Sequence, residues 1–181
     1  ITMMPFTSYA ASTSKSIFSA VEKGKSVKPK TYTHSDIVDG LTVHHGVDVS
    51  EHQGKINWAK AKKSGVEFAI IRVGCRRLAS GQFKEDDYFY QNMEGAINAG
   101  IKVGVYFYSG ATTKKEAVKE ADYVLKRIKG YNVELPVFFD IEYHNGARIT
   151  KALKNKRGKA TDICMAFMNK VKKAGYTPMV Y

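Results

Sequence analysis

The chain has 181 residues and 44% hydrophobic content, enough for one domain with a sizeable core, and no run approaches the roughly 18 apolar residues that a membrane span needs. Cys75 and Cys164 are too few for a disulfide framework, and no CxxC or His/Cys cluster suggests a metal, so two free thiols and no metal are expected. The net charge of +12 favours anionic partners and is unevenly spread: from Tyr143 to Lys173 nine Lys or Arg stand against one acid, Asp162.

Residues 1–40 are rich in Ser, Thr and Lys with little periodicity, and read as a leader or flexible linker ahead of a domain over 41–181. The first strand is expected from His44 to Val49. Asn57 then caps a short helix bearing Trp58 and Ala61, closed by Gly65. A second strand runs from Glu67 to Val73, and Asp86 or Asp87 opens a helix carrying Phe89, Met93, Ala96 and Ile97 that Gly100 closes. A third strand follows from Ile101 to Tyr108. Thr113-Lys114-Lys115-Glu116 has the pattern of a capping box and precedes Ala117, Ala121, Val124, Leu125 and Ile128 at helical spacing. Leu135 to Glu142 is the fourth strand. The basic run Arg148 to Lys159 reads as a loop, a helix over about Lys159 to Ala174 presents Ile163, Cys164, Phe167 and Val171, and Thr177 to Tyr181 is the fifth strand.

This β/α alternation, with strands apolar on both faces, predicts a parallel sheet covered by helices. No G-x-G-x-x-G or G-x-x-x-x-G-K-[ST] run follows the first strand, which argues against dinucleotide or nucleoside triphosphate binding and favours a barrel with its site at the strand C-termini. Closure of such a barrel takes about eight strands. The expectation is therefore an α/β, TIM-like barrel truncated after about the fifth strand, with a smaller open sheet as the alternative.

Chemistry concentrates in Pro136-Val137-Phe138-Phe139-Asp140-Ile141-Glu142, where two carboxylates alternate with Ile141 at a strand end. A rise of about 3.3 Å per residue places their Cβ atoms roughly 6 to 7 Å apart on one face. Glycoside hydrolysis needs such a pair, one carboxyl to protonate the leaving oxygen and a second to stabilise charge, activate water or attack. Spacing alone leaves a cation-binding or solvent-facing strand end equally open. Asp48, ending the first strand, tips the balance, since three acids at the ends of two strands are what a barrel mouth gathers.

With those residues in hand the sequence resembles glycoside hydrolase family 25, the bacterial and phage muramidases. Gly46-Val47-Asp48-Val49-Ser50-Glu51-His52-Gln53-Gly54 followed by Ile56-Asn57-Trp58 is similar to that family's opening. Phe68-Ala69-Ile70-Ile71-Arg72-Val73-Gly74, Ala99 through Tyr108, and Phe139-Asp140-Ile141-Glu142 are similar to its second, third and catalytic strands, in the same order. The resemblance implies hydrolysis of the β-1,4 bond between N-acetylmuramic acid and N-acetylglucosamine in peptidoglycan. It implies Glu142 as general acid, Asp140 as the group assisting the substrate acetamido, and Asp48 as a positioning or tuning acid. Secretion or cell-wall association, a modified barrel fold, and no metal or cofactor are implied with it. Phe107, where the family often has His, and Cys75-Arg76-Arg77 depart from the pattern.

Tyr106 and Tyr108 share a strand face and are candidates to line the cleft, with core filling as the alternative; Gln53 and Arg72 are candidates to brace the carboxylates, with a structural role equally open. The expected partners are peptidoglycan strands and, through the basic run, anionic wall polymers. Nucleic acid is not expected, because the aromatics lie in strands and are not interleaved with Lys and Arg. Neither a membrane partner nor an oligomer is expected.

Overall fold

The computed structural model describes residues 44–181; the leader or linker expected over 1–40 lies outside the described residues. Six strands form one sheet: β1 (Gly46–Val49), β2 (Phe68–Arg76), β3 (Phe83–Glu85), β4 (Lys102–Tyr108), β5 (Val137–Asp140) and β6 (Pro178–Val180). Their order is β1-β2-β4-β5-β6 with every neighbour parallel, and β3 pairs antiparallel with β2. Five helices follow in chain order: α1 (Trp58–Lys63), α2 (Phe89–Asn98), α3 (Lys114–Ile128), α4 (Arg148–Leu153) and α5 (Arg157–Lys173). The mostly parallel α/β architecture is as expected. Among the described residues β1 and β6 do not pair, so the sheet they form is open.

The strands differ from the expectation of two equally buried faces. Val49, Ala69, Ile71, Val73, Val103, Val105, Phe107, Val137 and Phe139 have no exposure and form one face of the sheet, packed with the helices. Alternate residues point the other way, and of these Phe68, Ile70, Arg72 and Phe138 are only half-buried. The residues of the sheet that carry polar chemistry, Asp48, Arg72, Tyr106, Tyr108 and Asp140, all fall on this second face.

Local signals account for most element ends. The Asn57 side chain accepts from the Lys60 N–H at 3.0 Å and starts α1. Thr113 Oγ1 accepts from the Glu116 N–H, but the reciprocal half of the expected capping box is diverted: Glu116 takes hydrogen bonds from the Thr112 N–H and hydroxyl instead. Two elements were not expected. The β3 strand forms because β2 runs on to Arg76, and Gly74 admits it, since a Cβ there would sit 2.4 Å from the Lys84 carbonyl oxygen. Helix α4 occupies part of the basic run read as a loop; Ile149 and Leu153, four apart, bury one side of it while Lys151 faces out.

An acid is buried among the helices. Glu120 lies on the apolar side of α3 with no exposure, where Arg76 Nε donates to one oxygen at 2.6 Å and Ser109 Oγ to the other at 2.7 Å. Burial raises this carboxyl above its ordinary range, and the two donors, one to each oxygen, act against that and are those of a carboxylate. The pair ties the ends of β2 and β4 to α3.

Candidate functional site

The C-terminal ends of β1, β4 and β5 bring Asp48, Tyr106, Tyr108 and Asp140 to one side of the sheet, and the register sets Tyr108 opposite Asp140 and Tyr106 opposite Arg72. Asp140 is 5% exposed. Its backbone is held on both sides: its carbonyl accepts from the Ser109 N–H at 2.8 Å, and the next N–H, that of Ile141, donates to the Tyr181 carbonyl at 3.2 Å. Its Oδ1 is buried with no hydrogen-bond partner among the described residues. Burial, then the neighbouring charges of Glu142 and Asp48, push the Asp140 carboxyl up to about 7, with Arg72 acting in the opposite direction.

Asp48 keeps a solvent-facing side, yet the rings of Tyr106 and Tyr181 crowd its carboxyl. Tyr181 Oη donates to Asp48 Oδ2 at 3.4 Å, and the Tyr106 hydroxyl bonds to it as well. Desolvation pushes Asp48 up to about 6 against these hydrogen bonds and the charge of Arg72. Tyr106, 8% exposed, is held above the ordinary phenol range by burial first and by Asp48 second.

Glu142 is not on the strand. β5 ends at Asp140, two residues short of the expected end, and Glu142 stands in the loop that leads to α4 with 52% of its side chain exposed. The apolar surroundings that raise a carboxyl's pKa thus enclose Asp140 and leave Glu142 outside. Glu142 Oε2 lies 2.9 Å from His144 Nε2, and the same nitrogen is 2.6 Å from Tyr108 Oη. Burial, followed by Glu142 and Asp140, pushes the Tyr108 phenol up to about 12, so it stays protonated at neutral pH.

The proposed bracing residues have clear local partners. Arg72 donates from Nε to Asp86 Oδ2 at 2.7 Å and pairs through Nη2 with Glu51 at 2.9 Å; its charge reaches Asp48 and Asp140 without a hydrogen bond to either. Asp86, one of the two acids expected to open α2, also accepts from the Glu51 and Tyr88 N–H groups. Gln53 Oε1 accepts from the Ser50 N–H at 2.8 Å, completing a capping box over Glu51–Gln53. The structure therefore joins Asp48, Asp140, Glu142, Tyr106, Tyr108 and Arg72 electrostatically, and seats the Gln53 carbonyl in the turn after β1.

Sequence reasoning passed over His144 and Tyr181. Each has a chemical type suited to a site, but the fold-back of the 141–147 loop is what brings His144 to Glu142. Gly146, at φ +79°, makes that turn possible without strain, and the His144 carbonyl is then fixed by the Ala147 N–H at 3.1 Å and the Thr150 hydroxyl at 2.7 Å. Cys75, within β2, and Cys164 are free thiols. Among the described residues no group of three or more His, Cys, Asp or Glu could hold a metal ion, and no helix is long and apolar enough to cross a membrane.

The model of glycosyl hydrolases family 25 matches residues 47–181. The chain is 35% identical over 102 residues to Lysozyme M1 of Streptomyces globisporus, covering 55% of this chain and 33% of that protein. It is 28% identical over 127 residues to the autolytic lysozyme of Clostridium acetobutylicum, covering 66% of this chain and 37% of the other. Among solved structures it is similar to the modular autolysin LytC from Streptococcus pneumoniae in complex with a synthetic peptidoglycan ligand, with a TM-score of 0.64 and 28% identity over 74% of this chain and 31% of that one. The chain thus spans about a third of the length of the curated relatives it matches.

Proposed function

The chain belongs to glycosyl hydrolases family 25, and we propose that its acidic cluster hydrolyses peptidoglycan at the β-1,4 bond between N-acetylmuramic acid and N-acetylglucosamine, at the cell wall or outside the cell. The observation that carries this reading is the gathering of three carboxyl groups in unlike surroundings: Asp140 buried, Asp48 crowded by two phenols, Glu142 in solvent. Acid-assisted glycoside cleavage takes one carboxyl that can reach the glycosidic oxygen and a second held beside the sugar, and the exposed Glu142 and the buried Asp140 divide in that way.

In the proposed mechanism Glu142 donates its proton to the glycosidic oxygen as the C1–O bond breaks and the electron pair leaves on that oxygen. The solvent-facing position of Glu142 gives a glycan access to it. Asp140 Oδ1, buried without a protein partner, accepts from the N–H of the muramic acetamido group and steers the acetamido oxygen toward C1. Asp48, held by Tyr106 and Tyr181, adds its field to Asp140 from the far side. The acetamido oxygen bonds to C1 as the leaving group departs; water then attacks C1, that bond breaks with its electron pair returning to the acetamido group, and the water's proton passes to Glu142. Tyr106 and Tyr108 form the adjacent wall, and Arg72 limits the rise of both aspartates. Anionic wall polymers would meet the basic surface of α4 and the start of α5, where Lys151, Lys154, Lys156, Arg157 and Lys159 follow the Glu142 loop.

The test is the product. Purified peptidoglycan digested with the protein and reduced with borohydride should yield N-acetylmuramitol. N-acetylglucosaminitol would overturn the bond assignment, and sedimentation with peptidoglycan without new reducing ends would favour a wall-binding module in place of an enzyme.

A further inference from the structure

Glu142 is a proton donor without a strand to stand on. The β5 ladder stops at Asp140, and the last sheet hydrogen bond on that side is made by the Ile141 N–H. A carboxylate on a loop, half exposed, has several rotamers of similar energy, and a general acid misplaced by about 1 Å loses much of its effect. Some other contact has to select the rotamer. Among the described residues the hydrogen-bond partner of Glu142 is His144, whose Nε2 lies 2.9 Å away.

His144 is itself anchored three ways. Its carbonyl is held by the Ala147 N–H and the Thr150 hydroxyl. Its ring packs edge-on against Tyr108, with centroids 6.1 Å apart. Its Nε2 meets the Tyr108 hydroxyl at 2.6 Å, and Tyr108 is carried on β4, the strand next to β5. The α4 end of the loop is fastened in turn by Arg148, which donates to the Gly110 carbonyl at 2.9 Å and to Glu116 at 2.6 Å. The path from the rigid sheet to Glu142 therefore runs through Tyr108 and His144.

We propose that His144 is a positioning residue for the reaction: a bridge from Tyr108 that holds the Glu142 carboxyl toward the scissile oxygen. This rests on the reading of Glu142 as the general acid. One nitrogen serves both neighbours: when it carries a proton it donates to Glu142, and when it is bare it accepts from the Tyr108 hydroxyl or from protonated Glu142. Its partners thus match both states that Glu142 passes through in the proposed cycle. The groups facing this nitrogen are Glu142 from its own loop and Tyr108 from β4, with Asp140 of β5 behind them; Arg148 of α4 is turned away to Glu116.

The experiment compares the full chain with His144→Ala, His144→Gln, Glu142→Gln and the His144→Ala/Glu142→Gln double variant, following reducing ends released from peptidoglycan. A Gln amide has about the reach of Nε2 and can both donate to Glu142 and accept from Tyr108. His144→Ala is expected to lower kcat by about 10-fold with KM little changed, His144→Gln to restore most of it, and the double variant to be no slower than Glu142→Gln. An unchanged kcat in His144→Ala, an equal loss in the Gln and Ala variants, or a loss confined to KM would overturn the inference while leaving the function standing. Full turnover by Glu142→Gln would instead remove the function on which it rests. Equal melting temperatures of the His144 variants check that a half-exposed loop residue has not cost the fold.

Discussion

Asp140→Asn removes a charge that the fold holds at a disadvantage, and its effect on stability can be worked out. The Asp140 carboxyl is raised from its ordinary 3.8 to about 7 by burial and by the charges of Glu142 and Asp48. The folded state therefore holds this proton more tightly than the unfolded chain does, so the group's contribution is complete below about pH 4 and is lost as the pH rises through about 7. A rise of about three pH units at about 1.4 kcal/mol each gives about 4 kcal/mol, an upper bound because Asp48 and Glu142 titrate alongside it. Asparagine has nearly the shape of the protonated acid and cannot ionise, so the variant escapes the fall. Urea unfolding of both proteins, followed by circular dichroism from pH 4 to pH 8, reads the difference. The variant should match the wild type at pH 4 and gain up to about 4 kcal/mol on it at pH 8, on the order of 10 °C in melting temperature for a chain of this size. Parallel pH dependences in the two proteins would refute the burial argument.

Other perturbations follow from the same geometry. Arg76→Met leaves Glu120 buried without its cation and should cost about 3 to 5 kcal/mol in urea unfolding at pH 7, most of it recovered in Arg76→Met/Glu120→Leu; a single variant as stable as wild type would refute the pairing. Phe167→Ala empties a fully buried site against Phe139, whose ring centroid is 4.4 Å away, and should cost about 3 to 5 kcal/mol with little change in the pH dependence of stability. Glu116 is held down at about 2 because Arg148 and the Thr112 donors outweigh its burial, so the stability it adds is present above its ordinary 4.5 and lost as the pH falls through about 2. Arg148→Ala should flatten that acid limb in thermal melts, and an unchanged limb would show that Arg148 does not hold it.

The sequence is most legible where periodicity and caps agree. Helix α3 announces itself by Thr113 and by the spacing of Ala117, Ala121, Val124 and Ile128, and β4 by a β-branched and aromatic run interrupted only by Gly104 from Val103 to Tyr108. Glu120 shows why the same pattern misleads: a charge between apolar helix positions reads as a solvent face until Arg76, 44 residues earlier, and Ser109 arrive to pair with it. The short β3 and α4 were not legible because neither is long enough to repeat its period twice; β3 exists by pairing with β2, and α4 by burying Ile149 and Leu153. At the site, the alternation in Asp140-Ile141-Glu142 located two of the acids but suggested a common strand face. The ladder releases the chain after Ile141, and the two carboxyls part into buried and exposed surroundings. That separation, and the return of His144 onto Glu142, depend on a turn at Gly146 whose direction the residue order does not disclose.

The central claim is that Glu142 delivers the proton that breaks the glycan. Its most direct test is the steady-state release of reducing ends from purified peptidoglycan by the wild-type chain and by Glu142→Gln, at equal protein concentration and with matched circular dichroism spectra. The account predicts a rate lower in the variant by about 10² to 10⁴-fold; equal rates would contradict it.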